Sequence, residues 1–220
     1  MTPWPPGGVS VPTTVTGITG ATRIDAGGLT ACALLSSGIE RCWGYGARGV
    51  LGNGDDASSA VPVTVVGIDH IVDIDVGGGH NCAVTSDGTA YCWGSNDDGR
   101  LGDGTHVDHL APVPVLGLTG VASISAGSAD TCAVLAGGTA ACWGLNQYGQ
   151  LGNGTTTASD VPVAVNGLSG ISHVSVGENA SCAASLDGTA HCWGRDYLGQ
   201  LGDGANVDSS LPTTVRVLGA

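Results

Sequence analysis

Eight cysteines carry most of the reactive chemistry open to this 220-residue chain. They form two series, Cys32, Cys82, Cys132 and Cys182, and Cys42, Cys92, Cys142 and Cys192, each advancing by a constant stride. Such residues can pair as disulfides, hold zinc, or fill a core as small buried thiols. Zinc is the weakest of these readings, because no C-x-x-C pair occurs and no histidine recurs with the cysteines. The six histidines, His70, His80, His106, His109, His173 and His191, all fall at different positions of the stride, so no ligand or triad set repeats. No serine lies in a G-x-S-x-G elbow, and Glu40 and Glu178 are the only glutamates, which gives little support to glycosidase-type carboxylate chemistry. Gly44-Tyr45-Gly46-Ala47-Arg48-Gly49 spells a dinucleotide fingerprint, but it opens no helix and its repeat mates, such as Gly94-Ser95-Asn96, are ordinary loops. Acidic loops at Asp55-Asp56, Asp97-Asp98 and Asp103 with Asp108 match no calcium-loop spacing; Asp capping its own turn is the favoured reading. No catalytic residue, metal or cofactor is therefore expected.

Charge narrows the partners. The six basic residues are all arginines, against 19 acids, for a formal net charge of −13. A negative field with scattered arginines cannot neutralise a run of phosphates, so nucleic acid is not an expected partner. No apolar stretch approaches the roughly 20 residues that span a bilayer as a helix, so no membrane insertion is expected. Apolar residues at 42% with only 11% charged argue against disorder. Glycine, at 39 residues, points to short strands and tight turns.

These residues are positioned by a repeat. Trp43, Trp93, Trp143 and Trp193 keep the cysteine stride, each followed by glycine, then by Leu-Gly pairs beginning at Leu51, Leu101, Leu151 and Leu201. Pro12, Pro62, Pro112, Pro162 and Pro212 mark a fifth, truncated copy. In residues 61–110 the pattern predicts four strands: Val61 to Val66 behind an edge proline, His70 to Val76, Cys82 to Thr85, and Thr89 to Trp93. Ser86-Asp87-Gly88 fits a three-residue hairpin loop closed by a left-handed glycine. Helical periodicity is absent. The expected fold is all-β: propeller blades, four 50-residue repeats of four-stranded antiparallel sheets, at 11–60, 61–110, 111–160 and 161–210, with an extra strand at 211–218. Residues 1–10, rich in proline and holding an out-of-register Trp4, read as a linker ahead of a single repeat domain over 11–220.

The stretch Gly79-His80-Asn81-Cys82-Ala83-Val84-Thr85-Ser86-Asp87-Gly88-Thr89-Ala90-Tyr91-Cys92-Trp93-Gly94, and Leu145-Asn146-Gln147-Tyr148-Gly149-Gln150-Leu151-Gly152 one copy on, resembles the regulator of chromosome condensation repeat over 11–218. One departure is that the family histidine stands only at His80, with Thr30, Asp130 and Ala180 in the other copies. The resemblance implies a β-propeller whose members usually close seven blades. Four units then make a partial ring as a piece of a longer propeller, an open arc, or a ring completed by oligomerisation. It also implies use as a protein-binding scaffold, since relatives act as exchange factors for small GTPases or as protein inhibitors of enzymes.

Counting back from the hairpin turn pairs Thr85 with Thr89, Val84 with Ala90, Ala83 with Tyr91 and Cys82 with Cys92. The last is a non-hydrogen-bonded pair, whose Cα atoms approach to about 4.5 Å, within reach of a disulfide. Four bridges are expected: Cys32–Cys42, Cys82–Cys92, Cys132–Cys142 and Cys182–Cys192; free buried thiols are the competing reading. Bridges imply an oxidising compartment, hence an extracellular or cell-surface location. Positions that differ among copies cluster after each Trp-Gly and are expected to face solvent on one side of the stacked blades. From them Tyr45, Arg48, Asp97, Asp98, Asn146, Tyr148, Arg195 and Tyr197 are the candidate contacts for a protein partner of unknown identity, Tyr and Arg being enriched in binding hot spots. The alternative is a structural or self-assembling module, either one section of a larger surface or secreted propeller or a homo-oligomer closing head to tail through exposed blade edges.

Overall fold

A computed structural model describes residues 11–216; the expected linker at 1–10, and the end of the expected extra strand, lie outside them. Four antiparallel sheets follow one another along the chain. The first orders β1 (Ala21–Gly27), β2 (Thr30–Leu35), β3 (Glu40–Gly44) and β4 (Ser59–Thr64). The second holds β5 (Ile71–Val76), β6 (His80–Thr85), β7 (Ala90–Gly94) and β8 (His109–Pro114). β9 (Val121–Ala126), β10 (Asp130–Leu135), β11 (Ala140–Gly144) and β12 (Ser159–Ala164) make the third. β13 (Ile171–Val176), β14 (Ala180–Ser185), β15 (Ala190–Gly194) and β16 (Ser209–Thr214) make the fourth. One 3-10 turn, Ala47–Gly49, interrupts the strand-and-loop pattern.

The sheets are offset from the sequence units. The proline strand, expected to open each unit, instead pairs backward and closes the preceding sheet: Val63 faces Cys42, and Thr64 faces Arg41. The strand around Pro212 is consequently the fourth strand of the last sheet, with Thr213 opposite Cys192, and is not surplus. The orphan copy lies at the other end, where residues 11–20 around Pro12 form no strand. Pro62, Pro112, Pro162 and Pro212 each occupy a fourth strand bonded on one side only, which suits a residue without an N–H.

The hairpins follow the expected register. Cys82 faces Cys92, Ala83 faces Tyr91 and Val84 faces Ala90. The Thr85 amide donates to the Thr89 carbonyl at 3.0 Å, and Gly88 takes a φ of 81°. All four disulfides form between these facing strands, with Cα–Cα distances of 4.0–4.1 Å, and no described cysteine is free.

Blades are joined by three apolar cores built alike. Between blades two and three, Val84, Ala90, Leu101 and Val115 of one meet Val121, Ile124, Ala133 and Trp143 of the next. Trp93, Trp143 and Trp193 are fully buried, and their indole N–H groups donate to the carbonyls of Val50, Arg100 and Gln150 in the preceding blade at 3.1, 2.8 and 2.7 Å. Burying a ring of this size is worth roughly 4–6 kcal/mol before entropy is charged. The glycine of each Leu-Gly pair makes the seat: a Cβ on Gly102 would lie 2.7 Å from the Trp143 indole nitrogen, and its φ of 71° disfavours a side chain as well.

Candidate functional site

Loops after three of the four Trp-Gly pairs are anchored from below by one buried side chain. Asn96, Asn146 and Asp196 are fully buried; their Oδ1 atoms accept the backbone N–H of Leu101, Leu151 and Leu201 at 3.0, 2.9 and 2.8 Å. Asn146 also donates through Nδ2 to the carbonyls of Thr155 and Thr157 at 3.1 and 2.9 Å. Burial therefore removes Asn146 from the candidate contact surface. The expectation that every variable loop position faces solvent fails here, because this position varies only among residues that can brace the loop, apart from Gly46 in blade one.

On that frame the remaining candidates separate into groups. Arg48 extends from blade one to two carboxylates of blade two, reaching Asp97 at 2.5 Å and Asp108 at 2.6 Å. The Arg48 guanidinium holds the Asp97 carboxyl below its ordinary range. Arg48 is thus already matched with acid, and its φ of 64° is a left-handed conformation unusual for a side-chain-bearing residue. Asp98 pairs with Arg100 at 2.5 Å, and Arg100 donates to the Ser128 carbonyl of blade three at 2.9 Å. Tyr45 is half-exposed and lines a cavity of about 200 Å³ with Leu29, Arg48 and Gly79.

The third group has no acid in it. The Arg195 guanidinium lies 4.6 Å from the ring centre of Tyr148 and 4.2 Å from that of Tyr197. Two rings from adjacent blades thus enclose one cation, an arrangement worth about 0.5–1 kcal/mol per contact at an exposed site. Tyr197 is 58% exposed and the neighbouring Leu198 75%, so the stack opens to solvent beside an apolar side chain.

Sequence reasoning took Asp108 for a turn cap and missed Arg100, the two residues that complete the ion-pair groups, and it missed a cleft of about 300 Å³ lined by the first strands of the blades. In that cleft Arg23 pairs with Asp73. Asp25 accepts the Val76 amide at 2.6 Å, and Asp75 that of Ala126 at 2.5 Å. Desolvation pushes the Asp75 carboxyl up to about 6. Recurrence of Asp25 and Asp75 one stride apart was the available signal. These acids brace one blade's inner strand to the next. Of the acidic loops, Asp55 and Asp103 act as turn caps, accepting the Ala57 and Thr105 amides at 3.0 Å each, whereas Asp97, Asp98 and Asp108 pair with arginines. Glu40 lies near Cys32 and Cys42, but those sulfurs are bonded to each other and offer no thiolate to a metal.

The regulator of chromosome condensation (RCC1) repeat profile matches residues 42–84, 87–134, 138–184 and 187–220, and a second profile of the same repeat matches 71–100, 121–150 and 171–200. No curated relative matches the chain in sequence. Among solved structures it is similar to human WBSCR16, at 23% identity and a TM-score of 0.81, covering 90% of this chain and 53% of that one. It is also similar to yeast RCC1 (Prp20) solved bound to Kap60, at 21% identity and a TM-score of 0.81, covering 93% and 51%. A structure of Prp20p from Saccharomyces cerevisiae, described with its binding properties to Gsp1p and histones, matches at 21% identity and a TM-score of 0.79, covering 93% and 52%. At these identities the likeness is one of fold, and the chain spans about half the length of the proteins it matches. On its repeat profile and its blade architecture together, the chain belongs to the regulator of chromosome condensation (RCC1) repeat family.

Proposed function

We propose that this chain is a non-catalytic protein-interaction scaffold that grips a partner protein with the loops on one face of its stacked blades. The observation that carries this reading is the Tyr148–Arg195–Tyr197 stack. Its rings fix the arginine before any partner arrives, so little side-chain entropy remains to be lost on binding, and aromatic and arginine anchors dominate interface energetics. Arg48 contributes less to such a surface, because Asp97 and Asp108 already satisfy its charge. The related yeast propeller is described bound to Kap60 and as binding Gsp1p and histones, which supports protein recognition as the kind of use without transferring those partners. Four disulfides support an oxidising, extracellular or cell-surface setting.

Capture of partners from the native extracellular milieu on immobilised chain tests the reading. Tyr148→Ala, Tyr197→Ala and Arg195→Ala should each weaken capture by about tenfold or more, while Asp55→Ala, on a different loop, leaves it unchanged. Equal capture by all four variants would remove the stack from the binding surface.

A further inference from the structure

We propose that the two end faces of the blade stack bind each other, so that a second copy of this chain docks head to tail, Trp43 of one copy seating on Gly202 of the other. This goes beyond loop-face recognition and does not depend on it. The molecule displays the template for this contact three times. In each internal junction a tryptophan covers a Leu-Gly glycine: Trp93 on Gly52, Trp143 on Gly102, Trp193 on Gly152. The fourth glycine, Gly202, has only Val215 of its own blade nearby, and the first tryptophan, Trp43, is only half-buried where the other three are fully enclosed.

The surrounding positions repeat the mismatch of supply and demand. Blade one presents Ala21, Ile24 and Ala26 where later blades bury their counterparts against a predecessor, and Ile24 is 68% exposed. Blade four presents exposed Ala184 and Ala190 and half-buried Val215 where Val134, Ala140 and Val165 are buried by a successor. All six end residues are uncharged and all but Ile24 and Val215 are alanine. A repeat array whose ends stay in water carries polar capping faces, and bare sheet ends are commonly protected by charge. Among the described residues these six junction positions carry no charge; Arg216, beside Gly204, stands exposed at the rim of blade four.

Polar groups match as well. Internal junctions are stitched by bonds such as Gly154 N–H to Ser210 O at 2.8 Å, Ile171 N–H to Gly138 O at 2.9 Å and Trp193 Nε1 to Gln150 O at 2.7 Å. The corresponding end groups are Gly204 N–H, Gly188 O and Gln200 O on blade four, with Ala60 O, Ala21 N–H and Trp43 Nε1 on blade one. None makes the equivalent bond among the described residues. A second copy of this chain supplies each complementary group, and a reciprocal pair covers both faces. Alanines at 21 and 184, in place of larger aliphatic residues at internal junctions, make the contact weaker than a covalent blade-to-blade step.

Sedimentation and light scattering on the intact, oxidised chain read this directly. The wild type should reach twice the mass of one chain at a concentration of about 100 µM, with a Kd of roughly micromolar order. Ile24→Arg and Ala190→Glu alter opposite ends, and each alone should give monomers that keep the β-sheet circular dichroism and lack free thiols. Mixing the two monomeric variants restores one unaltered junction, Ile24 of the second against Ala190 of the first, and the doubled mass should return. A wild type that stays monomeric, variants that remain dimeric, or a mixture that fails to associate would each overturn the proposal.

Discussion

His80 stands where the other blades carry Thr30, Asp130 and Ala180, and its ring is fully buried. One ring nitrogen meets the Thr131 hydroxyl at 2.7 Å. Burial, with a smaller contribution from Arg100, lowers the imidazole to about 3 from its ordinary 6.5. The unfolded chain therefore binds a proton between these values that the folded chain refuses. The stabilising effect of the neutral ring is complete above pH 6.5 and is lost as pH falls toward 3, at no more than about 1.4 kcal/mol per pH unit. Burial raises the Glu40 and Asp130 carboxyls, which has the opposite sign, so the histidine effect is read by difference. Urea titrations across that window should show a shallower acid loss in His80→Gln than in wild type. Parallel pH profiles would mean that the imidazole is not held neutral by the fold.

Each hairpin is a short element closed twice, by its turn and by its disulfide. A bridge across ten residues constrains the unfolded chain by about 3 kcal/mol or less in the entropic model. Cys132→Ser with Cys142→Ser should lower unfolding free energy by up to that amount while the blade order persists, measured by denaturant midpoint. An unchanged midpoint would mean that the bridge adds nothing the ladder does not already supply. The same locality explains what could be read from the sequence. Cys82 opposite Cys92 follows from counting outward from one turn, so the pairing was legible. The partner of the proline strand was not, because a long glycine-rich loop separates Trp43 from Ser59–Thr64 and letters alone do not say whether that strand pairs backward or forward. At the candidate site the residue types of Tyr148, Arg195 and Tyr197 were visible, whereas their stacking depends on the rotation between blades. Burial of Asn146 was masked because Gly46 breaks an otherwise Asn/Asp column.

At the scale of the molecule, stability resides in the junctions: one small sheet, repeated, buries its faces only against its neighbours. The four repeat tryptophans make this measurable, since three close a junction and Trp43 is only half-buried. The most direct comparison is Trp143→Ala against Trp43→Ala in the Ala190→Glu background, where no second copy covers blade one. Truncating a fully buried tryptophan should cost about 3–5 kcal/mol, with loss of the 2.8 Å bond to the Arg100 carbonyl. Truncating Trp43 should cost less than half as much by denaturant unfolding. Equal losses would contradict the account, because they would place the stabilising contacts of each tryptophan inside its own blade.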